Sequence, residues 1–265
     1  MKRLTVRDIQ QLKDKGERIA VLTAYDHPSA KLLDAAGVEI LLVGDSLGMV
    51  VLGYETTLPV TVDEMVHHTR AVSRARPRAL VVADMPFLSY QVSTEEAVRN
   101  AGRLVQEAGA DAVKLEGGGG MLPAVRAILR ASIPVMGHVG LTPQSVLAFG
   151  GYRVQGKGAE AAGRVTADAL ALQEAGCFAL VLEGVPAELG RSITERLRIP
   201  TIGIGAGPGC DGQVLVFHDF LSIHSEFAPK FVRRYAEVGT AIREAAERYV
   251  RDVKAGKFPG AEESY

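Results

Sequence analysis

Four short apolar segments of this chain each end on a carboxylate. Residues 40–44, 80–83, 112–115 and 179–182 are followed in turn by Asp45, Asp84, Glu116 and Glu183. Such apolar runs, bounded by turn-forming residues, are typical of strands buried on both faces. A charge at the tip of a buried strand is costly unless it has a partner or a metal ion. Because helical patterns separate these strands, the four acids predict one acidic site where the strand ends meet.

An acidic set of this kind suits a hard metal ion. Three carboxylates without a His or Cys cluster are typical oxygen ligands of Mg²⁺, which keeps several waters that a substrate can displace. For each acid taken singly, the alternative is a helix N-cap or a salt bridge, because helices follow these strands. Four acids at equivalent strand ends favour the functional interpretation.

A lysine accompanies the third acid. Lys114 and Glu116 are two residues apart, so in a strand they share a face, with Lys114 one layer deeper. Its ammonium group would keep nearby carboxylates ionised. It could also bind the carboxylate of a substrate as a point charge.

Other polar or glycine-rich positions leave two interpretations open. Ser46 follows Asp45 directly, and it could cap a helix or hydrogen-bond a substrate carboxylate. His138 lies at the end of the fifth apolar segment, where a supporting role and direct substrate contact are both open. The segment GIGAG at 203–207 resembles a phosphate-binding loop, but close backbone approach at a barrel mouth explains it equally well.

The two cysteines are not expected to act in catalysis. Cys177 directly precedes a predicted strand, where a small buried hydrophobic residue is the usual role. Cys210 lies in a glycine-rich stretch without a nearby base to activate it. Two cysteines in these settings form neither a disulfide framework nor a zinc site.

The elements that must position these residues alternate along the chain. The predicted strands are 20–25, 40–44, 79–83, 112–115, 135–139, 179–182, 201–204 and 214–217. The predicted helices are 6–15, 62–75, 94–108, 121–131, 160–175, 188–197 and 230–254. Thr61, followed three residues later by Glu64, predicts a capping box at the start of the second of these helices.

This alternation predicts a parallel sheet with right-handed crossovers. A single (β/α)8 barrel of the TIM type fits the strand count best, with a leading N-terminal helix and a long C-terminal helix. A doubly wound open sheet is the alternative. We expect one domain over residues 1–265, with a polar tail at 255–265. The interval 205–213 is too short for a full helix and is interpreted as a loop over the barrel mouth.

Composition restricts the possible partners and location. The chain has 265 residues, 47% of them hydrophobic, with 30 Lys and Arg against 31 Asp and Glu. The resulting net charge of −1 predicts no nucleic-acid or anionic-membrane partner. The first residues contain no apolar core of a signal peptide, and no run approaches the roughly 20 apolar residues of a membrane span. We therefore expect a cytoplasmic protein.

Long stretches of the chain match the motifs of a known family. The most specific are LVGDSLGMVVLGYETTLPVT at 42–61 and GHVGLTPQ at 137–144. Shorter matches lie at 83–87, 113–117, 149–152, 182–186, 202–207 and 211–213. On these motifs the chain resembles the ketopantoate hydroxymethyltransferases, and the resemblance covers essentially the whole chain.

The resemblance implies a fold, a reaction and an assembly. It implies a barrel that uses one Mg²⁺ per subunit and 5,10-methylenetetrahydrofolate as co-substrate. A hydroxymethyl group would pass to the ketoacid 3-methyl-2-oxobutanoate (α-ketoisovalerate), giving ketopantoate for pantothenate and coenzyme A synthesis. Small molecules would thus be the partners, and the assembly implied is a homodecamer.

The resemblance also implies roles for the strand-end residues. Asp45, Asp84 and Glu116 would hold or surround the metal, while Ser46, Asp45, Asp84 and Lys114 would contact the ketoacid. Glu183 would be the general base that removes the proton from the branched carbon next to the ketone. A carboxylate is too weak a base for such a carbon unless a metal stabilises charge on the keto oxygen.

Two other classes of protein compete with this interpretation. A Mg²⁺-dependent ketoacid lyase of the phosphoenolpyruvate mutase and isocitrate lyase type has a similar acidic mouth. Those enzymes place a reactive cysteine in a lysine-containing mobile loop, and Cys210 has no lysine beside it. A non-catalytic anion-binding barrel would place Arg and Lys at the strand ends, where this chain has acids.

Overall fold

The structure, a computed structural model, describes residues 2–223 and 229–265. Its centre is a closed barrel in which eight parallel strands pair in sequence order and the last pairs with the first. The strands are β1 Ile19–Thr23, β2 Ile40–Val43, β3 Leu80–Asp84, β4 Ala112–Glu116, β5 Val135–Gly140, β6 Ala179–Glu183, β7 Thr201–Ile204 and β8 Gly212–Leu215.

Helices connect most of the strands. They are α1 Val6–Asp14, α2 His27–Ala35, α3 Leu47–Val50, α4 Val62–Ser73, α5 Thr94–Gln106, α6 Leu122–Arg130, α7 Val146–Phe149, α8 Ala159–Ala175, α9 Ala187–Arg196, α10 Phe217–Phe220 and α11 Val238–Lys254. Short 3₁₀ turns lie at Gly119–Met121, Pro143–Ser145 and Ala261–Glu263. The predicted capping box at Thr61 and Glu64 is present at the start of α4.

The closed sheet confirms the predicted (β/α)8 barrel and shows that the open sheet was the wrong alternative. Most element bounds differ from the prediction by one or two residues, and the start of the C-terminal helix differs by eight. The last strand begins at Gly212 instead of Val214, because Gly212 pairs with both Ile19 and Ile202. The C-terminal helix begins at Val238 instead of Lys230, and the described residues 229–237 are not helical. Part of the segment before it, 224–228, lies outside the described residues.

The barrel core is built from alternate residues of every strand. Since strand side chains alternate between faces, one set points inward and packs in layers. The inward set includes Ile40 and Leu42 on β2, and Leu80 and Val82 on β3, all nearly inaccessible. Ile9 of α1 belongs to the same cluster, so the leading helix contributes to the core.

The same alternation brings polar side chains to the carboxyl ends of the strands. Asp84 continues the inward set of β3, and Glu116 continues that of β4, with Lys114 one layer deeper. The strand register places Asp84 beside Lys114 and Glu116 beside His138. Main-chain pairing thus makes each of these acids the lateral neighbour of a basic residue, Lys114 or His138.

The connection between β7 and β8 does not lie over the barrel mouth, contrary to the sequence-based interpretation. It packs against the outer helix α9. A Cβ at Gly207 would lie 2.4 Å from Ala187 Cβ, and one at Gly190 would lie 2.5 Å from the Ala206 carbonyl oxygen. The segment reaches the amino end of β7, where Asp211 Oδ2 accepts from the Thr201 amide at 2.8 Å. Close contact with α9 therefore accounts for Gly207 and Gly209 of this segment, since a Cβ at Gly209 would lie 2.8 Å from Arg191 Cβ.

Replacing Gly207 by alanine tests this packing. Gly207 has a φ of +77° as well as the close contact with Ala187. We expect Gly207→Ala to lower the free energy of unfolding by about 3 kcal/mol, from left-handed strain together with overpacking. Gly16→Ala is the matched control, since its φ is +71° with nothing within 4 Å. Urea unfolding that gives equal losses for both variants would contradict the packing.

Two compact units make up the chain, Met1–Leu215 with the whole barrel and Val216–Tyr265 with α10 and α11. Helix α11 contains no buried residue. The single domain and the polar tail at 255–265 remain predictions. Within the described residues, no helix combines the length and the apolar character needed to cross a membrane.

Candidate active site

The four predicted acids lie at one end of the barrel, at or just beyond the ends of β2, β3, β4 and β6. Asp45, Asp84 and Glu116 are buried, each about 4% exposed or less, whereas Glu183 is partly exposed. Lys114 lies among the buried acids, with its Nζ 3.2 Å from Asp84 Oδ1. The structure thus brings together the residues that the sequence singled out, and it separates three buried acids from one at the rim.

The turn after β2 brings two of the acids together. The backbone N–H of Asp45 donates to Asp84 Oδ2 at 3.1 Å. Gly44 leaves room in this turn for Ser46, because a Cβ there would lie 2.7 Å from Ser46 Oγ. Neither side chain caps a helix, so the alternative of simple N-caps does not hold for Asp45 and Asp84.

Burial and the neighbouring charges shift the pKa values of Asp45, Asp84 and Lys114. Burial, together with the charges of Asp84 and Glu116, raises the pKa of Asp45 well above its usual value. Burial also raises the pKa of Asp84, although Lys114 opposes that effect. Burial would lower the pKa of Lys114, but the surrounding carboxylates outweigh it and raise that pKa. The lysine is therefore a permanent cation that partly compensates an excess of negative charge.

His138 stands between the buried acids and the rim acid. Its Nδ1 lies 3.5 Å from Glu116 Oε1, and its Nε2 lies 3.3 Å from Glu183 Oε2. Burial and Lys114 lower the pKa of the imidazole, but hydrogen bonding to Glu116 and Glu183 outweighs both and raises it to about 9. The ring thus lies between the two acids, and its Nδ1 is also 3.2 Å from Lys114 Nζ. The contact with Glu183 fits the supporting role that was one of the two predicted for His138.

Ser46 does not cap the helix that follows it. It is the residue before α3, yet its side chain makes no capping hydrogen bond. Its Oγ lies 2.9 Å from the hydroxyl of Tyr25, which is buried beyond the end of β1. The hydroxyl is held at the site by a second hydroxyl, an arrangement suited to binding a carboxylate oxygen.

Two polar residues at the site were missed by sequence reasoning. Gln144 follows the tip of β5 and donates from Nε2 to Asp45 Oδ2 at 2.8 Å. Tyr90 follows the tip of β3, and its hydroxyl donates to Gln144 Oε1 at 2.7 Å. Their positions in the sequence could have indicated them. Both lie in loops that follow barrel strands, and active sites on this fold are built from such loops.

The buried acids suit an ion that takes only a few protein ligands. Across residues 2–223 and 229–265, no three His, Cys, Asp or Glu side chains form a complete metal site by themselves. Asp84 Oδ1 is a buried acceptor without a hydrogen bond, since Lys114 Nζ lies nearby but outside bonding direction. Mg²⁺ is commonly held by one or two carboxylates together with water and substrate oxygens. The oxygen-only donors and the unsatisfied Asp84 oxygen therefore fit such an ion.

Neither cysteine lies at the acidic site. Cys177 is buried before β6, and burial raises the pKa of its thiol to about 12. Cys210 is buried in the β7–β8 connection. Its Sγ would lie 3.0 Å from a Cβ built at Gly203, a position on the outer face of β7. Burial also raises the pKa of the Cys210 thiol. A reactive cysteine over the mouth, as in the lyase alternative, is not supplied by either residue.

Comparison with solved structures identifies the same fold in distant enzymes. A phosphonopyruvate hydrolase solved with oxalate and Mg²⁺ matches with a TM-score of 0.65 and 13% identity, over 98% of this chain and 93% of that one. A 2,3-dimethylmalate lyase of the phosphoenolpyruvate mutase and isocitrate lyase superfamily matches with a TM-score of 0.63 and 18% identity, over 98% and 89%. At these identities the likeness shows the fold alone.

Comparison of sequences is far more specific. The family model for ketopantoate hydroxymethyltransferase matches residues 3–261. A 3-methyl-2-oxobutanoate hydroxymethyltransferase of Moorella thermoacetica is 61% identical over 99% of this chain and 98% of its own length. One of Chloroflexus aurantiacus is 60% identical over 99% and 92%. With its motifs spread over the whole barrel and its acids at the strand ends, the chain belongs to the ketopantoate hydroxymethyltransferase family of transferases.

Proposed function

We propose that this chain transfers a hydroxymethyl group from 5,10-methylenetetrahydrofolate to 3-methyl-2-oxobutanoate, with Mg²⁺ bound at the acidic site. The observation that carries the proposal is the division of the acids, three buried around Lys114 and one at the rim. A carbon-acid reaction needs such a division, because the base must not be consumed as a metal ligand. The names of relatives about 60% identical support the same reaction.

Each side chain has a defined task in this proposal. Asp45 and Asp84 would hold the ion, with Glu116 beside it and one ion per subunit. A bound Mg²⁺ would supply Lewis acidity, stabilising negative charge on the keto oxygen of the substrate. Lys114 and Ser46 would bind the ketoacid through its carboxylate, the lysine as a fixed point charge.

Glu183 would remove the proton from the branched carbon next to the ketone. His138, whose Nε2 lies 3.3 Å from Glu183 Oε2, would orient the rim carboxylate before proton transfer. Loss of the proton makes the carbon nucleophilic, and a new carbon–carbon bond forms to the methylene carbon of the folate. The two bonds from that carbon to the folate nitrogens break, and water supplies the hydroxyl oxygen. The proton from the ketoacid and one proton of water end on those nitrogens, and tetrahydrofolate leaves as the second product.

A single assay tests the proposal. Protein, Mg²⁺, 3-methyl-2-oxobutanoate and methylenetetrahydrofolate are mixed, and ketopantoate is measured by mass spectrometry. We expect ketopantoate to form, and to stop forming when a chelator removes the metal. Cleavage of the ketoacid without use of the folate would support a lyase instead.

Gel filtration and light scattering of the same sample test the homodecamer, and cell fractionation tests the cytoplasmic location.

A further inference from the structure

Gln144 is the buried amide at the centre of the acidic site, and the proposed reaction gives it no role. It lies in the turn Pro143–Ser145 after β5. Its Nε2 donates to Asp45 Oδ2 at 2.8 Å and to the Met85 carbonyl at 2.9 Å. Its backbone N–H donates to Glu116 Oε2 at 2.9 Å. One residue thus joins two carboxylates that come from different strand ends.

The orientation of the Gln144 amide is fixed by its neighbours. The Met85 carbonyl can only accept a hydrogen bond, so it must face the NH₂ group of the amide. The opposite atom, Oε1, accepts from the Tyr90 hydroxyl at 2.7 Å. A flipped amide would place the amide oxygen against the buried Met85 carbonyl oxygen, which is costly.

Tyr90 holds the other side of this amide. The backbone N–H of Glu116 donates to the Tyr90 hydroxyl oxygen at 3.1 Å. Since a hydroxyl has one hydrogen, the shorter contact to Gln144 takes it, and the hydroxyl acts as acceptor toward Glu116. A continuous chain of hydrogen bonds therefore runs from the end of β4, through Tyr90 and Gln144, to Asp45 beyond β2.

These hydrogen bonds restrain two carboxyl groups, of Asp45 and Glu116, that would otherwise move apart. The carboxylates of Asp45 and Glu116 repel each other in a buried site of low dielectric. Gln144 engages one oxygen of each, Oδ2 of Asp45 and Oε2 of Glu116, through neutral donors. The hydrogen bond to Oδ2 restrains rotation of the Asp45 carboxylate, and it leaves Oδ1 as the oxygen that would face a cation.

We propose that Gln144, supported by Tyr90, is a positioning residue that sets the affinity of the site for its divalent cation. The inference rests on the proposed function, and Gln144 acts through Asp45 and Glu116 without touching the substrate. Losing a partner of this kind weakens metal affinity or activity by about 10–100-fold in metal sites generally. A purely structural residue would change the stability of the barrel and leave the metal affinity unaltered.

The test compares wild type, Gln144→Ala and Tyr90→Phe in their binding of Mn²⁺ alone, with free ion measured by electron paramagnetic resonance. We expect the dissociation constant for Mn²⁺ to rise about 10–100-fold in Gln144→Ala, and by a smaller factor in Tyr90→Phe. The double variant should lose less than the product of the single losses, because both residues act in one chain. In turnover, saturating metal should restore much of kcat in Gln144→Ala.

Thr201→Ala is the matched control. Thr201 is buried at the amino end of β7, where its hydroxyl donates to Asp211 Oδ2 at 3.0 Å. This variant should lower the melting temperature and keep the Mn²⁺ affinity of wild type. Should Gln144→Ala fail to fold, Tyr90→Phe carries the same measurement.

Wild-type Mn²⁺ affinity in the folded Gln144 and Tyr90 variants would overturn the proposal, as would an equal loss in Thr201→Ala. Failure of wild type to bind Mn²⁺ would overturn it together with the proposed metal site. If wild type makes no ketopantoate but Gln144→Ala binds Mn²⁺ more weakly, the proposed function fails while the role of Gln144 stands.

Discussion

Replacing Glu183 by glutamine is expected to lower kcat by about 10²–10⁴-fold, the range typical of a lost general base. The amide keeps the size of the side chain but cannot accept the proton of the branched carbon. Exchange of that proton with deuterated water, followed by NMR, should stop as well. Metal-dependent binding of the ketoacid should persist, because Glu183 lies at the rim and outside the buried acids.

The matched control is Glu188→Gln, on helix α9. The Glu188 side chain is 83% exposed, so the same change of charge there should leave turnover and exchange at wild-type values. Proton exchange at the wild-type rate in Glu183→Gln would show that another group is the base. Loss of ketoacid binding in that variant would place Glu183 in the binding set instead.

Replacing Lys114 by methionine is expected to destabilise the metal-free protein by about 3–5 kcal/mol, the usual cost of removing one partner of a buried ion pair. Asp84 and Glu116 would remain buried without their cation. Methionine fills a similar volume, so the loss would reflect charge and not a cavity. Urea unfolding with and without Mg²⁺ measures it, and added metal should recover part of the loss. The KM for the ketoacid should also rise.

Lys31→Met provides the control for Lys114→Met. Lys31 lies on an exposed face of α2, and its removal should change stability by less than about 0.5 kcal/mol. A loss in Lys114→Met no larger than that of the control would contradict the role of the buried cation. A defect confined to the KM for the folate would show that Lys114 does not bind the ketoacid.

Much of the barrel could be predicted because burial on both faces makes each parallel strand a short aliphatic run. Residues 40–43 and 80–84 illustrate this, since every one of them is buried. The start of β8 could not be predicted in this way, because Gly212 and Gln213 join the sheet through main-chain pairing without apolar side chains. The β7–β8 segment was placed wrongly because glycines that permit contact with a helix resemble glycines that bind a ligand.

The charged part of the site could be predicted from sequence and its neutral part could not. A buried charge such as Asp84 breaks an apolar run visibly, and its cost argues for a partner. Gln144 and Tyr90 break no such pattern, and their importance comes from contacts between loops after different strands. The side-chain position of His138, between Glu116 and Glu183, likewise depends on register across three strands.

The lateral pairing of Asp84 with Lys114 and of Glu116 with His138 has a consequence for directed evolution of this enzyme. The hydrogen bonds between neighbouring strands hold these partners side by side. The outer helices and the loops at the amino ends of the strands can therefore be varied, or used as sites of circular permutation, without separating them. A one-residue insertion in β4 before Lys114 would instead turn Lys114 and Glu116 outward together. Tolerance to insertion should therefore be lowest inside the barrel strands that carry these residues and should rise sharply beyond their ends. An insertion library would measure this profile directly.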